Sequence, residues 1–152
     1  MSIDKNQVRE LIESVLFELG YNSPDAIELL MMTSAQESHL GTYIRQLGTG
    51  PALGIFQMEP NTEADIWNNY LRYKSDLSAK VLKFKSQRHD DLYWNIGYQI
   101  CMTRIHYLRA PTALPDHANV PAMAAYWKKY YNTYLGAGTE AEAIENYYKY
   151  CK

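Results

Sequence analysis

Cysteine is scarce in this chain of 152 residues. The two present, Cys101 and Cys151, are too few for a disulfide framework and too far apart for a metal-binding cluster. Cys101 falls inside a helical pattern and is expected as a small buried hydrophobe, Cys151 is expected to be a free thiol, and a bridge between the two stays open. Long apolar runs are missing as well, so no integral membrane segment is expected. An excess of one charge is also absent. A formal net charge of −2 with 21% charged residues excludes a general cationic attraction to nucleic acid or acidic membranes. The local group Lys80, Lys83, Lys85 and Arg88 reads as a solvated helix face. The four histidines lack ligand spacing, and no His-Glu-x-x-His run occurs, so no metal is expected. There is neither a phosphate-cradling Gly-rich loop nor a nucleophile elbow, and no cofactor is expected. The polar opening Met1-Ser2-Ile3-Asp4-Lys5 lacks the apolar run of an export signal. Clean period-2 strands, internal repeats and low-complexity segments are not found.

What is present is helical punctuation. An apolar fraction of 47% suits one globular domain spanning residues 1–152. Asp4 and Gln7 have capping-box spacing, followed by Val8, Leu11, Ile12, Val15, Leu16 and Leu19 at helical period up to Gly20. Ser23-Pro24-Asp25 opens a second helix, with Gly41 as its expected stop. The Gly-containing stretch from Thr42 to Leu53 reads as loop or a short irregular hairpin. Asn61 or Thr62 caps a helix holding Ile66, Trp67, Tyr70 and Leu71, and a further helix is expected over Ser78 to Gln87. Asp90 starts the strongest segment, through Leu92, Tyr93, Ile96, Ile100, Tyr107 and Leu108, which Pro111 and Pro115 terminate. Pro121 opens a helix through Tyr131, and Thr139 with Glu142 caps the last one. The expected fold is all-α, or nearly so.

Glu37 stands out within this pattern. It lies on a line with Leu30 and Thr33 at the last turn of the second helix, where an inward position would normally be apolar. A half-buried carboxyl there loses hydration, which raises its pKa toward that of a general acid. Taken alone it reads better as a surface Glu on a fraying turn.

Other residues in order along the chain strengthen the functional reading. Glu37-Ser38, Gly54-Ile55-Phe56-Gln57, Asn95-Ile96-Gly97, and Ala124-Ala125-Tyr126 with Tyr131-Asn132-Thr133 together resemble the lytic transglycosylase branch of the lysozyme superfamily. The resemblance runs from about Ser23 to Thr133. It implies a lysozyme-like domain that cleaves the bond between N-acetylmuramic acid and N-acetylglucosamine in bacterial peptidoglycan. Glu37 would serve as acid and then as base, closing a 1,6-anhydro ring without water. Ser38, Gly54 and Gln57 would contact substrate or bring backbone close to the sugar or the Glu37 helix, and Asn132 would join them. The family's Ala-Tyr-Asn run is interrupted, since Trp127 follows Tyr126. Tyr131 is therefore the preferred tyrosine for holding the carboxylate, with Tyr126 as the other candidate.

Two alternatives stay open. One is a muramidase that hydrolyses the same bond, using Glu59, Glu63 or Asp65 to hold water. The other is a virion or wall-binding protein that keeps the fold without turnover. For a wall-degrading protein without its own export signal, the expected origin is a phage. Its route would be release from the host cytoplasm to the wall, or carriage in a virion. The number of copies is not legible. Trp67, Trp94 and Trp127 are expected in the core, and the 14 tyrosines remain divided between packing and sugar contact.

Overall fold

The computed structural model describes residues 2–132 and 136–152; Thr133 of the Tyr-Asn-Thr run lies outside them. Among the described residues there are eight α-helices and no strand: α1 Lys5–Leu19, α2 Pro24–Ser38, α3 Pro60–Asn69, α4 Ser75–Leu82, α5 Asp91–Trp94, α6 Ile96–Leu108, α7 Val120–Trp127 and α8 Glu140–Cys151. A 3₁₀ turn, Leu71–Tyr73, joins α3 to α4, and a π-helical turn, Lys128–Asn132, prolongs α7. The expectation of an all-α chain holds. No described helix is long and apolar enough to cross a membrane.

Local capping chemistry sets several of these boundaries. Asp4 accepts from the backbone N–H of Asn6 and Gln7 at 3.0 and 3.1 Å, and Gly20 closes α1 in the left-handed region. Ser23 Oγ accepts from Ala26 N–H at 3.1 Å, with Pro24 in the first turn of α2. Thr139 caps α8 by accepting from Glu142 N–H at 3.1 Å.

Other boundaries move. α3 begins at Pro60 rather than after an Asn61 or Thr62 cap, because proline suits the first helical position and Glu59 is already extended. α4 begins at Ser75 and ends at Leu82, earlier than the expected span at both ends. The long helix expected from Asp90 is broken at Asn95, whose side chain accepts from Tyr98 N–H at 3.1 Å and starts α6 afresh. The helix after Pro121 ends at Trp127 before the π-helical turn.

α2 and α6 form the centre. Both carry buried residues nearly all round, as their apolar sequences require. Their one prominent polar contact is satisfied internally: Thr33 Oγ1 and Tyr107 OH lie 2.8 Å apart across the helix pair. α1 packs its apolar face against α6 and α2, and α8 lies along α2. Cys101 and Cys151 are both free and buried; Cys151 Sγ lies 3.4 Å from the Met31 carbonyl. Trp127 is in the core as expected, whereas Trp94 is exposed, its indole N–H donating to Asp90.

The first, second and last helices meet at one carboxylate. Arg9 donates to both Glu28 oxygens at 2.9 and 3.1 Å and to the Cys151 carbonyl at 3.1 Å. Tyr147 OH donates to Glu28 Oε1 at 2.6 Å. Burial alone would raise the Glu28 pKa, but these donors outweigh it and hold it below the usual carboxylate range. Glu28→Ala should lower stability by about 2–4 kcal/mol, because it strands Arg9 and Tyr147 together. Asp90→Ala at the exposed Arg88 pair should leave Tm nearly unchanged; thermal melts of the two variants make the comparison.

Candidate active site

Glu37 occupies the last turn of α2, and the backbone after it is unusual. His39, Leu40 and Gly41 are all left-handed, with φ of 50, 55 and 79°. Gly41 was the expected stop, yet the helix already ends at Ser38 with His39 as its cap. Glycine tolerates this conformation; histidine and leucine hold it at a cost of roughly 1–2 kcal/mol each. The return comes from burial of Leu40 and from bonds around the turn. Leu40 N–H donates to Ser34 O at 3.1 Å, Ile3 N–H to Leu40 O at 3.0 Å and Thr42 N–H to Ser38 O at 2.9 Å.

Ser38 is the hub of that turn. Its hydroxyl donates to the Ile55 carbonyl at 2.6 Å and accepts from Gly41 N–H at 2.8 Å. The side chain is wholly buried and does not line the cavity beside Glu37. The expected substrate contact is therefore replaced by an internal one, because the strained turn needs a hydrogen-bonding centre.

Gly54 also differs from expectation. Its φ is +79°, and a Cβ would collide with the Gln99 amide and the Leu92 carbonyl. The close approach it permits is thus to α6 and the segment before it, not to a sugar or to the Glu37 helix. Gln99 uses the space. Its Oε1 accepts from Ile55 N–H at 2.9 Å and its Nε2 donates to the Asp91 carbonyl at 3.3 Å. Gln99 was missed by sequence reasoning; a polar side chain on an otherwise apolar helix face was its only signal.

Glu37, Gln57, Tyr131 and Asn132 do come together, lining one cavity of about 600 Å³. Burial raises the Glu37 pKa from 4.5 to about 8. Its Oε2 is sealed from solvent with no hydrogen-bond partner among the described residues. Gln57, left-handed at φ 49°, donates from Nε2 to the Gly54 carbonyl at 2.9 Å. Asn132 Oδ1 accepts from Lys128 Nζ at 2.7 Å, and the same ammonium donates to the carbonyls of Gly136 and Gly138.

Of the two candidate tyrosines, Tyr131 reaches the cavity and Tyr126 donates elsewhere, to the Thr112 carbonyl at 2.9 Å. Tyr131 does not clasp the carboxylate as expected. Its hydroxyl donates to the Phe56 carbonyl at 2.6 Å, fixing the turn that carries Gln57. Burial, and then the nearby Glu37 charge, push its pKa upward.

Two further titratable groups line the same cavity. Glu59 lines the cavity, whereas Glu63 accepts from Tyr98 OH and Asp65 pairs with Arg109 at 2.6 Å. His106 lines it too, its ring edge-on to Tyr131 at 5.2 Å. Burial, helped by the Arg109 charge, lowers the His106 pKa to about 4, so the imidazole is neutral near pH 7. His106 lies on the same buried helix as Gln99 and was read from sequence only as lacking metal spacing. His39 instead stacks on Tyr150 at 5.1 Å.

No protein-family model matches the chain, and neither does any curated protein or solved structure. The site's own geometry defines its chemistry. It holds one neutral acid, a second carboxylate, and amide groups around a cavity large enough for a saccharide unit.

Gly54→Ala should destabilise by at least about 2 kcal/mol, combining a left-handed backbone with a collision against buried backbone. Gly48→Ala, also at positive φ but with open space around it, should cost about 1 kcal/mol. Denaturant titration of both variants separates the two contributions.

Proposed function

We propose that this chain is a peptidoglycan lytic transglycosylase with a lysozyme-like fold, and that Glu37 is its single acid and base. The observation that carries the reading is the half-buried Glu37 carboxyl, its Oε2 without a hydrogen-bond partner among the described residues, held neutral near pH 7 by burial and lining the 600 Å³ cavity. A neutral acid of this kind can give its proton to the glycosidic oxygen as the C1–O4 bond breaks. The resulting carboxylate then takes the C6 hydroxyl proton, O6 bonds to C1, and the sugar leaves as a 1,6-anhydro ring. Protons balance and no water is consumed. Restoring the proton returns Glu37 to its resting state, so a pKa near neutrality suits both halves of the cycle.

Surrounding groups support this role without sharing it. Ser38 and Gln99 lock the Ile55 carbonyl and N–H, and Tyr131 locks the Phe56 carbonyl. Gln57 and Asn132 face the cavity with amides suited to sugar hydroxyl and acetamido groups. The partner on this reading is bacterial peptidoglycan, and the phage origin belongs to the same proposal.

A second reading rests on Glu59. Of the three downstream carboxylates considered from sequence, it alone lines the cavity with Glu37. As a carboxylate it could orient water and turn the enzyme into a hydrolase.

Mass spectrometry of fragments released from purified peptidoglycan distinguishes these outcomes. The expected products carry 1,6-anhydro ends one water lighter than reducing ends, and Glu59→Gln should not change them. Reducing ends that depend on Glu59 would replace the transglycosylase with a muramidase. Absence of fragments from several wall types would favour a binding protein. Glu37→Gln should abolish release while the fold persists.

The pH dependence follows from the raised pKa. Cleavage should fall as pH rises through about 8, where Glu37 loses its proton. Stability shows the same sign. Between about 4.5 and 8 the folded chain holds a proton that the unfolded chain releases, so stability contributed by the neutral carboxyl is lost as pH rises through that window. Glu37→Gln removes this dependence and should stabilise the protein by roughly 3–5 kcal/mol at pH 8 relative to pH 4, read from paired melts.

A further inference from the structure

A second concavity lies away from the Glu37 cavity, between the end of α1 and the α3–α4 junction. It measures about 380 Å³ and is lined by Tyr21, Tyr70, Tyr73 and Lys74 among others. Tyr21 and Tyr73 are 40% and 71% exposed. None of the three tyrosine hydroxyls has a hydrogen-bond partner among the described residues, while the rings are steadied by cations. The Arg104 guanidinium lies 5.5 Å from the Tyr21 ring centre and donates to the Tyr21 carbonyl at 3.3 Å. Lys74 and Arg109 lie 5.6 and 5.9 Å from the Tyr70 ring centre.

The two concavities are joined by one helix. Glu59 and Thr62, at the start of α3, line the Glu37 cavity, and Tyr70, just past its end, lines the tyrosine groove. Ten residues make α3 about 15 Å long. Its solvent face between the two sites carries Asn61, Asp65, Asn68 and Asn69, all exposed. α6 follows the same course. His106 borders the cavity, and one turn later Arg109 pairs with Asp65 at 2.6 Å and reaches Tyr70. The surface therefore runs from acid, past the Asn61 and Asn68 amides and the Asp65–Arg109 pair, which also holds Asn69, to aromatic rings.

We propose that the tyrosine groove is a distal binding site for the amino-sugar polymer whose bond Glu37 breaks, with the strand lying along α3. The inference rests on the glycan-cleaving reading of the cavity. Pyranose rings present C–H faces that suit exposed tyrosine rings, and their hydroxyl and acetamido edges suit asparagine amides and phenolic hydroxyls. A single short fragment fills the cavity alone. A polymer engages both places at once, and the second contact then forms at high effective concentration.

The test compares the wild-type protein with the Tyr21→Ala/Tyr73→Ala double variant, on polymeric glycan strands and on a purified tetrasaccharide from the same wall. Both substitutions are at exposed positions, and a melt of the variant verifies the fold. KM for the polymer should rise at least about tenfold, with kcat and the tetrasaccharide kinetics unchanged. Tyr73→Trp, which keeps an aromatic face, should retain polymer KM. An unchanged polymer KM, or equal losses on both substrates, overturns the distal site while leaving the cavity reading intact. Failure of the wild-type protein to cleave either substrate overturns both.

Discussion

The hydrogen bond from Ser38 to the Ile55 carbonyl is the contact on which the arrangement depends. It joins the end of α2 to the Gly54 turn one residue after the acid, in a place where the backbone has left helical geometry. On the far side of the same peptide segment, Gln99 holds the Ile55 N–H and passes the connection to the Asp91 carbonyl. The Asp91 side chain, in turn, is gripped by Ser86, Asn95 and Lys85. Burial would raise its pKa, but those donors outweigh it and keep the carboxyl below its ordinary value. A buried polar chain of this kind must be satisfied throughout, because one missing member leaves several groups dry and unpaired. Here every link named has its partner.

The contrast between Glu37 and the other inward-facing carboxylates is instructive. Glu28 and Asp91 are each surrounded by donors and serve to fasten elements together. Glu37 is given burial, and its Oε2 meets no donor among the described residues. The same side-chain type thus becomes a strut in one setting and a proton store in the other, and the difference is the company each keeps.

Legibility in the sequence follows the range of the interaction that decides each feature. Asp4, Ser23 and Thr139 were readable as caps because their partners lie two or three residues away. The inward position of Glu37 was readable because helical period places it beside Leu30 and Thr33. Asn95 was not read as a break, since Leu92, Tyr93, Ile96 and Ile100 keep an apolar pattern across it. Gly41 drew attention as the natural left-handed residue, while burial of Leu40 pulls His39 and Leu40 into that region first. Ser38 and Gly54 stood out by identity, but their partners Ile55 and Gln99 are distant in sequence, so their internal roles could not be seen. Trp94 fits a helical stripe that the short α5 does not bury.

The acidity of Glu37 is set by dryness rather than by a neighbouring charge. Dissolved ions weaken exposed pairs such as Arg88 with Asp90, but they have little purchase on a penalty that arises from lost hydration. The variable that does reach it is what fills the cavity. Water admitted beside the carboxyl would make it an ordinary acid, and a sugar ring that displaces water would tighten its hold on the proton. On the proposed reading, the ligand itself would complete the tuning of the group that acts on it.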